Sequence, residues 1–305
     1  MIVATIGFFD GVHRGHQYLI QQVKEEALRR GARSLLITFD RHPRSVFAPD
    51  SAPLLLTTAE EKMALLRATG VDDIYILPFD RTMAGLTARE FMHQVLKEQL
   101  GVTALVIGYD HRFGKRSDPN LSRQGGEGFE EYQTYGRELG IDVVPAQELN
   151  GEHVSSSAIR RFLTGGDVAA ASRLLGRPYT WSGRVVHGHE VGRQLGFPTA
   201  NLEGIEPTKM LPAKGVYAVD CTIHPQMIHS QAMLNIGRRP TLDNGTDISV
   251  EVHLFDFNEN LYDSKLTLSF VARLREEQRF ASETELAEQL QRDRASALKA
   301  LAKYC

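Results

Sequence analysis

The sequence lacks the material for a disulfide framework, for a membrane-crossing helix and for a broad cationic face. Cysteine occurs only at Cys221 and Cys305, so inert thiols in a reducing compartment, the cytoplasm, are expected. No apolar run approaches the roughly 20 residues that a bilayer-spanning helix needs. Residues 1–7 are apolar but have no basic lead, and charge arrives at Asp10, so this stretch is not expected to be a secretory signal. A net charge of −3 leaves no surplus of positive charge for a nucleic-acid face, while local basic pockets for a nucleotide remain open. No internal repeat and no low-complexity tract interrupts the chain. Neither a membrane nor a nucleic acid is therefore expected as a partner, and self-association cannot be read from the sequence.

What the chain does contain is enough apolar material for two cores. Its 305 residues exceed one typical domain, and 42% hydrophobic with 24% charged residues is the balance of a soluble globular protein. In the first half, apolar runs at 2–6, 34–39, 73–77, 104–108 and 141–145 read as strands buried on both faces. Helical periodicity fills the intervals. Residues 16–30 put Leu19, Ile20, Val23, Ala27 and Leu28 on one face, with Gly31 placed to end the helix. Thr58 with Glu61, and Thr87 with Glu90, have capping-box spacing. Strands alternating with helices predict an α/β domain, a doubly wound parallel sheet that binds its ligands at the carboxyl ends of the strands.

After Gly166 the pattern changes. A short helical piece at 167–175 leads into β-type segments at 181–187, 216–223, 232–236, 248–255 and 266–274, divided by Gly, Pro, Asn and Asp. These predict a small antiparallel β-barrel, followed by a terminal helix over 282–303. The expected division is 1–166 and 167–305, two unrelated halves that point to two fused activities.

Directly after the first strand comes Gly7-Phe8-Phe9-Asp10-Gly11-Val12-His13-Arg14-Gly15-His16. Glycines let backbone close on an anion, and the helix that follows offers N–H groups and the positive end of its dipole. His13 and His16 can donate to phosphate oxygens that gain charge during a reaction. A lone His-x-Gly-His is usually a surface turn, but a strand before it and a helix after it favour the phosphate reading. The segment resembles the HxGH signature of the nucleotidyltransferase superfamily, which would set Gly7, Phe8, Phe9, Asp10, Gly11 and Gly15 around ATP phosphates.

Three further segments stand out in the first half. Thr38-Phe39-Asp40-Arg41-His42-Pro43 is either a strand end with a proline turn or a contact for a flat ring. Gly108-Tyr109-Asp110-His111-Arg112-Phe113-Gly114 follows another strand and is a solvated turn or a site loop. Ser155-Ser156-Ser157-Ala158-Ile159-Arg160 opens a helix, as a plain serine N-cap or as a phosphate cradle completed by arginine. In the second half, Gly188, Gly192 and Gly196 space a loop that ends in Pro198-Thr199-Ala200-Asn201. Thr199 and Asn201 offer the neutral oxygens that suit Mg²⁺. Glu251 lies in an alternating strand, where a lone carboxylate ordinarily faces solvent.

The order HxGH, FDxHP, GxDxRFG and SSSxIR, followed by PTAN, resembles the bacterial bifunctional riboflavin kinase/FMN adenylyltransferase family over nearly the whole chain. That resemblance implies phosphorylation of riboflavin by ATP to FMN in 167–305, and adenylylation of FMN by ATP to FAD in 1–166 with release of pyrophosphate. It makes Glu251 the base for the ribityl 5′-hydroxyl, and Thr199 and Asn201 the ligands of Mg²⁺. It makes His13, His16 and Arg160 catalytic in the other half, with Ser155, Ser156 and Ser157 on phosphate. Gly188, Gly192, Lys214 and Asn235 would meet the second nucleotide. Flavin contacts would fall to Phe39, His42, Pro43, Phe47, Asp110 and Phe113, and to Arg275 beyond the barrel's last strand segment. Relatives usually have Thr where Ser157 stands, often Asn at Phe8 and commonly Pro at Arg41. They also usually carry a short segment ahead of the first strand, so a longer native N-terminus is expected. A flavin or nucleotide sensor is the non-enzymatic alternative, disfavoured because binding alone needs no Glu251.

Overall fold

The computed structural model describes residues 1–108, 111–114, 128–149, 154–187, 197–238 and 248–303. The chain divides into two compact units, Met1–Val154 and Ser155–Cys305.

The first unit is built on five parallel strands: β1 (Ile2–Ile6), β2 (Arg33–Phe39), β3 (Asp73–Leu77), β4 (Ala104–Ile107) and β5 (Asp142–Pro145), in the order β3-β2-β1-β4-β5. Their apolar runs are continuous because both faces are covered. Val3, Ala104 and Val106 pack on Val23 and Ala27 of the helix Arg14–Arg30. Leu36 on the same face meets Leu66 of the helix Ala59–Ala68. Ala4, Ile6, Leu35, Ile37, Leu105 and Ile107 face the other way, onto the π-helix Phe91–Gln99 and the helix Phe129–Leu139. The expected strands appear within a residue or two, and both capping boxes form. Gly31 ends the first helix at φ 60°, its N–H reaching the carbonyls of Ala27 and Leu28. The chain leaves β1 for β2 on one side while β4 lies on the other, so the turn after β1 opens at the sheet's switch point.

The second unit is a closed barrel with the strand order β10-β7-β6-β11-β8-β9. Its strands are β6 (Tyr179–Val186), β7 (Ala200–Gly204), β8 (Gly215–His224), β9 (Ile228–Arg238), β10 (Ile248–Leu254) and β11 (Lys265–Arg275). The helix Glu283–Leu301 covers one side, placing Ala297 and Leu301 on Phe197, Ala218 and Met233. Cys221 lies inside, where burial pushes its thiol up to about 12.

Two of the differences from the sequence-based expectation concern the second unit and its boundary. β7 was not expected: Ala-Asn-Leu-Glu-Gly has neither β-branched nor aromatic residues, and it is a strand because β6 and β10 pair with it. The compact units also meet at Val154/Ser155 rather than at 166/167. The helix Ser156–Gly165 packs in the second unit, where its Leu163 carbonyl accepts from the N–H of Ala213 at 2.9 Å.

Candidate functional site

The turn after β1 is strained. Phe9 (φ 54°), Gly11 (φ 80°) and Val12 (φ 39°) all lie in the left-handed region, which a β-branched residue rarely adopts. Each such non-glycine residue costs about 1–3 kcal/mol and persists only where its surroundings hold it. Here the Phe9 and Val12 side chains are held in a core with Ile20, Leu36 and Leu66. Asp10, only 3% exposed, accepts from the N–H groups of Leu56 (2.9 Å) and Thr57 (3.1 Å) and from the Thr57 hydroxyl (3.2 Å). That hydroxyl in turn accepts from the Gly11 N–H at 3.1 Å. Asp10, expected among phosphate contacts, is thus an anchor of the turn.

His13 is the N-cap of the helix Arg14–Arg30, and its Nδ1 accepts from the His16 N–H at 3.3 Å. The capping role explains why the helix begins two residues before the expected start at 16. An accepting Nδ1 leaves Nε2 as the protonated nitrogen of the neutral ring. The His13 and His16 rings stack with centroids 3.6 Å apart and planes 15° apart. Gly15 makes this possible, because a Cβ there would stand 3.3 Å from the His13 ring and 3.4 Å from the Val154 carbonyl oxygen. Among the described residues, Nδ1 of His16 is buried with no hydrogen-bond partner. Burial, then the neighbouring His13 and His111, hold the His16 pKa well below 6.5. An anion arriving there would supply the missing partner and favour the charged ring.

His111 was quoted in a loop but not expected in the site. Desolvation, with Arg112 second, pushes its pKa down to about 4. Lys62 was not singled out at all, although it joins the ends of β1 and β2. The motif pattern identifies neither, since both act through contacts distant in sequence.

Of the expected flavin contacts, Phe39 and Phe47 come together around Phe79, with centroids 5.0 and 6.5 Å from it. A cleft of about 300 Å³ beside them is lined by Asp40, Arg41, Phe79 and Arg81 among others. His42 caps the short helix Pro43–Phe47, its Nδ1 accepting from the Arg44 N–H at 3.1 Å, and meets Phe8 edge-on at 4.9 Å. Phe113 stacks on Tyr132 at 4.3 Å instead. Ser155 is an N-cap, accepting from the Ala158 N–H at 3.2 Å, and Ser156, Ser157 and Arg160 follow in the first turns of its helix. Asp110, Gly188 and Gly192 lie outside the described residues.

In the barrel, Glu251 of β10 stands opposite Asn201 of β7 on one side and Asn235 of β9 on the other. Directly opposed residues share a sheet face, so the three polar side chains form a row across three strands. A cavity of about 630 Å³ adjoins it, lined by Thr199, Asn201, Val185, Leu254 and the segment 257–262. His253, two residues beyond Glu251, holds the Pro198 carbonyl at 2.8 Å from Nδ1 and so fixes the approach to Thr199. Lys214 meets Arg273 through its carbonyl. Arg275 makes a fork on Asp293 of the terminal helix at 2.7–3.0 Å, so its guanidinium fastens that helix to β11.

A parallel sheet with two stacked imidazoles at its switch point, on one chain with a barrel carrying an Asn-Glu-Asn row, defines a two-unit enzyme of phosphorus-group transfer. Family models for FAD synthetase and riboflavin kinase match residues 1–158 and 175–301. The bifunctional riboflavin kinase/FMN adenylyltransferase of Pseudomonas fluorescens is 40% identical over 295 residues, spanning 97% of this chain and 91% of that protein. The Escherichia coli K12 protein of the same description is 41% identical over 298 residues, with 97% and 91% coverage. A crystal structure described as a macrolide-efflux protein from Streptococcus pneumoniae matches with a TM-score of 0.84 at 32% identity, covering 97% of this chain and 93% of that one. Among the described residues, no helix is long and apolar enough to cross a membrane. The chain belongs to the bifunctional riboflavin kinase/FMN adenylyltransferase family: it converts riboflavin to FMN and FMN to FAD at the expense of ATP.

Proposed function

We propose that the two half-reactions run at separate sites, adenylyl transfer within 1–166 and phosphoryl transfer within 167–305, in the cytoplasm. The observation that carries the first assignment is the stacked His13–His16 pair, His13 buried and His16 half-buried, directly after a strained turn at the switch point. A phosphate oxygen of FMN attacks the α-phosphorus of ATP, the bond from that phosphorus to the bridging oxygen breaks, and its electron pair leaves with pyrophosphate. Phosphate is already a nucleophile at neutral pH, so alignment and charge stabilisation suffice. The imidazoles donate to the oxygens that gain charge, and the orphaned Nδ1 of His16 gains its partner there. Arg160 and the serines at 155–157 add donors to the phosphates. Phe39 and Phe47, with Phe79 between them, offer the flavin ring an aromatic wall.

In the barrel, Glu251 accepts the proton of the ribityl 5′-hydroxyl as its oxygen attacks the γ-phosphorus of ATP, and ADP leaves. The Thr199 hydroxyl and the Asn201 amide oxygen are hard, neutral donors on one cavity, a set that fits Mg²⁺ shared with nucleotide phosphates. When bound, Mg²⁺ offsets the negative charge of the transferred group. Asn201 and Asn235 flank Glu251 and hold its orientation toward the hydroxyl.

The test is a time course of flavins separated by chromatography after adding riboflavin, ATP and Mg²⁺. Wild type should accumulate FMN and then FAD. His16→Ala should stop at FMN, and Glu251→Ala should leave riboflavin unchanged while still converting added FMN. A folded variant in which one substitution silences both half-reactions would overturn the two-site assignment.

A further inference from the structure

Lys62 sits in the helix Ala59–Ala68, whose start is fixed by the Thr58–Glu61 capping box, and its side chain runs inward until the residue is only 6% exposed. Its ammonium donates to the Phe39 carbonyl (2.8 Å), the Phe8 carbonyl (3.3 Å) and the Thr38 hydroxyl (3.3 Å). It also stands 4.2 Å from the centre of the Phe8 ring. The ammonium's three N–H donors are thus matched by three neutral acceptors, two on the end of β2 and one just beyond β1. The charged groups that face it, Asp10 and Asp40, act from a distance. Asp10 is turned to the backbone of Leu56 and Thr57, and Asp40 to the Phe79 N–H at 2.8 Å.

A buried cation held only by neutral acceptors is costly. If packing alone were needed, an apolar side chain of similar length would join the two strand ends with no desolvation penalty. The charge has another use at this place. Phe8 directly precedes the left-handed Phe9, and the turn it begins carries His13 and His16. The lysine therefore braces that turn from one end, while Asp10 and Thr57 brace it from the middle.

We propose that Lys62 is a positioning residue of the adenylyl-transfer site, whose ammonium locks the strained turn that leads into His13 and His16 to the end of β2 and adds positive potential where the triphosphate binds. This rests on the assignment of His13 and His16 to adenylyl transfer. The lysine is poised to lose its proton in an accessible range, since burial pushes its pKa down to about 8 against the pull of Asp10 and Asp40. As pH rises through that value the clamp loses a donor and its charge, so FAD formation falls. The folded-state pKa lies below the 10.5 of the free group, so the folded unit releases this proton first and gains stability relative to the unfolded chain on the alkaline side. An alkaline loss of activity through this group is then not unfolding.

The experiment uses the full chain, with riboflavin phosphorylation as the internal control. Lys62→Met keeps the stem and removes the charge; Lys62→Arg keeps the charge at every accessible pH. For Lys62→Met, kcat/KM for ATP in FAD formation should fall by about 10- to 100-fold, as expected for slight misplacement of reacting groups, with FMN formation unchanged. In wild type, kcat/KM should decline on the alkaline side with a midpoint near 8, and Lys62→Arg should move that decline to higher pH. Wild-type kcat/KM and an unaltered pH profile in Lys62→Met would overturn the proposal. Should Lys62→Met unfold the first unit, a wild-type profile without the alkaline limb, or an unmoved limb in Lys62→Arg, would overturn it instead. FAD formation that survives His16→Ala would refute the site assignment itself, whatever the lysine does.

Discussion

The two units solve one chemical problem, the transfer of a phosphorus group from ATP, with different structural means. In the first, the candidate donors His13 and His16 follow a turn with three left-handed residues, held by groups about 46 to 54 residues away in sequence. In the barrel, Asn201, Glu251 and Asn235 sit on regular strands, and the hydrogen-bond ladder itself sets their order and spacing. A turn needs external braces because its backbone satisfies few of its own constraints; a ladder satisfies them locally. The first site is therefore vulnerable to substitutions that never touch substrate, and the second mainly to substitutions in the row.

The sharpest break of that comparison is Gly15→Val. Its β-carbon would already crowd the His13 ring and the Val154 carbonyl, and its methyl groups add to the displacement. FAD formation should fall by about 100-fold, the effect of roughly 1 Å of misplacement, while FMN formation in the same sample stays at the wild-type rate. Next comes Asn235→Ala, expected to slow FMN formation by about tenfold through loss of one oriented polar neighbour, at an unchanged melting temperature. Equal losses in both half-reactions from either variant would contradict the contrast.

Asp10→Asn probes a brace rather than a donor. The amide cannot accept from all the groups that face the carboxylate, leaving a buried donor unsatisfied at a cost of about 1–3 kcal/mol. Denaturant unfolding should show that loss in the first unit alone, with FAD formation reduced and FMN formation intact. The smallest effect is on pH. His16 and His111 both have folded-state pKa values below 6.5, with His111 at about 4, so the unfolded chain takes up their protons first on acidification. The stability they confer is complete above 6.5 and is lost as pH falls toward the folded values. The melting temperature of the first unit should decline from pH 7 to 4.5, and His111→Phe should flatten that decline; an unchanged slope would remove His111 from the account.

Much of this molecule was legible along the chain. Buried parallel strands are apolar throughout, capping boxes have fixed spacing, and glycine at a helix end answers a backbone need, so β1, β3, both boxes and Gly31 stand where they were read. The HxGH and PTAN segments were legible as candidates, because a phosphate or Mg²⁺ site demands particular residue types at particular intervals. Lys62 was not, since a lysine in an amphipathic helix ordinarily reaches for water, and only the packing of β1 and β2 turns it inward. Arg275 was expected at the flavin, and Asp293, 18 positions on, takes its fork.

By itself, then, the sequence determined the two fold classes, the family and the two activities, because periodicity, capping and turn chemistry are local and act within a few residues. Only the tertiary structure decided that Asp10 braces the turn, that Ala200–Gly204 becomes a strand, and that Asn201, Glu251 and Asn235 stand in one row. Each of those outcomes depends on which backbone group or strand edge is brought alongside, and nothing within a few residues specifies that partner.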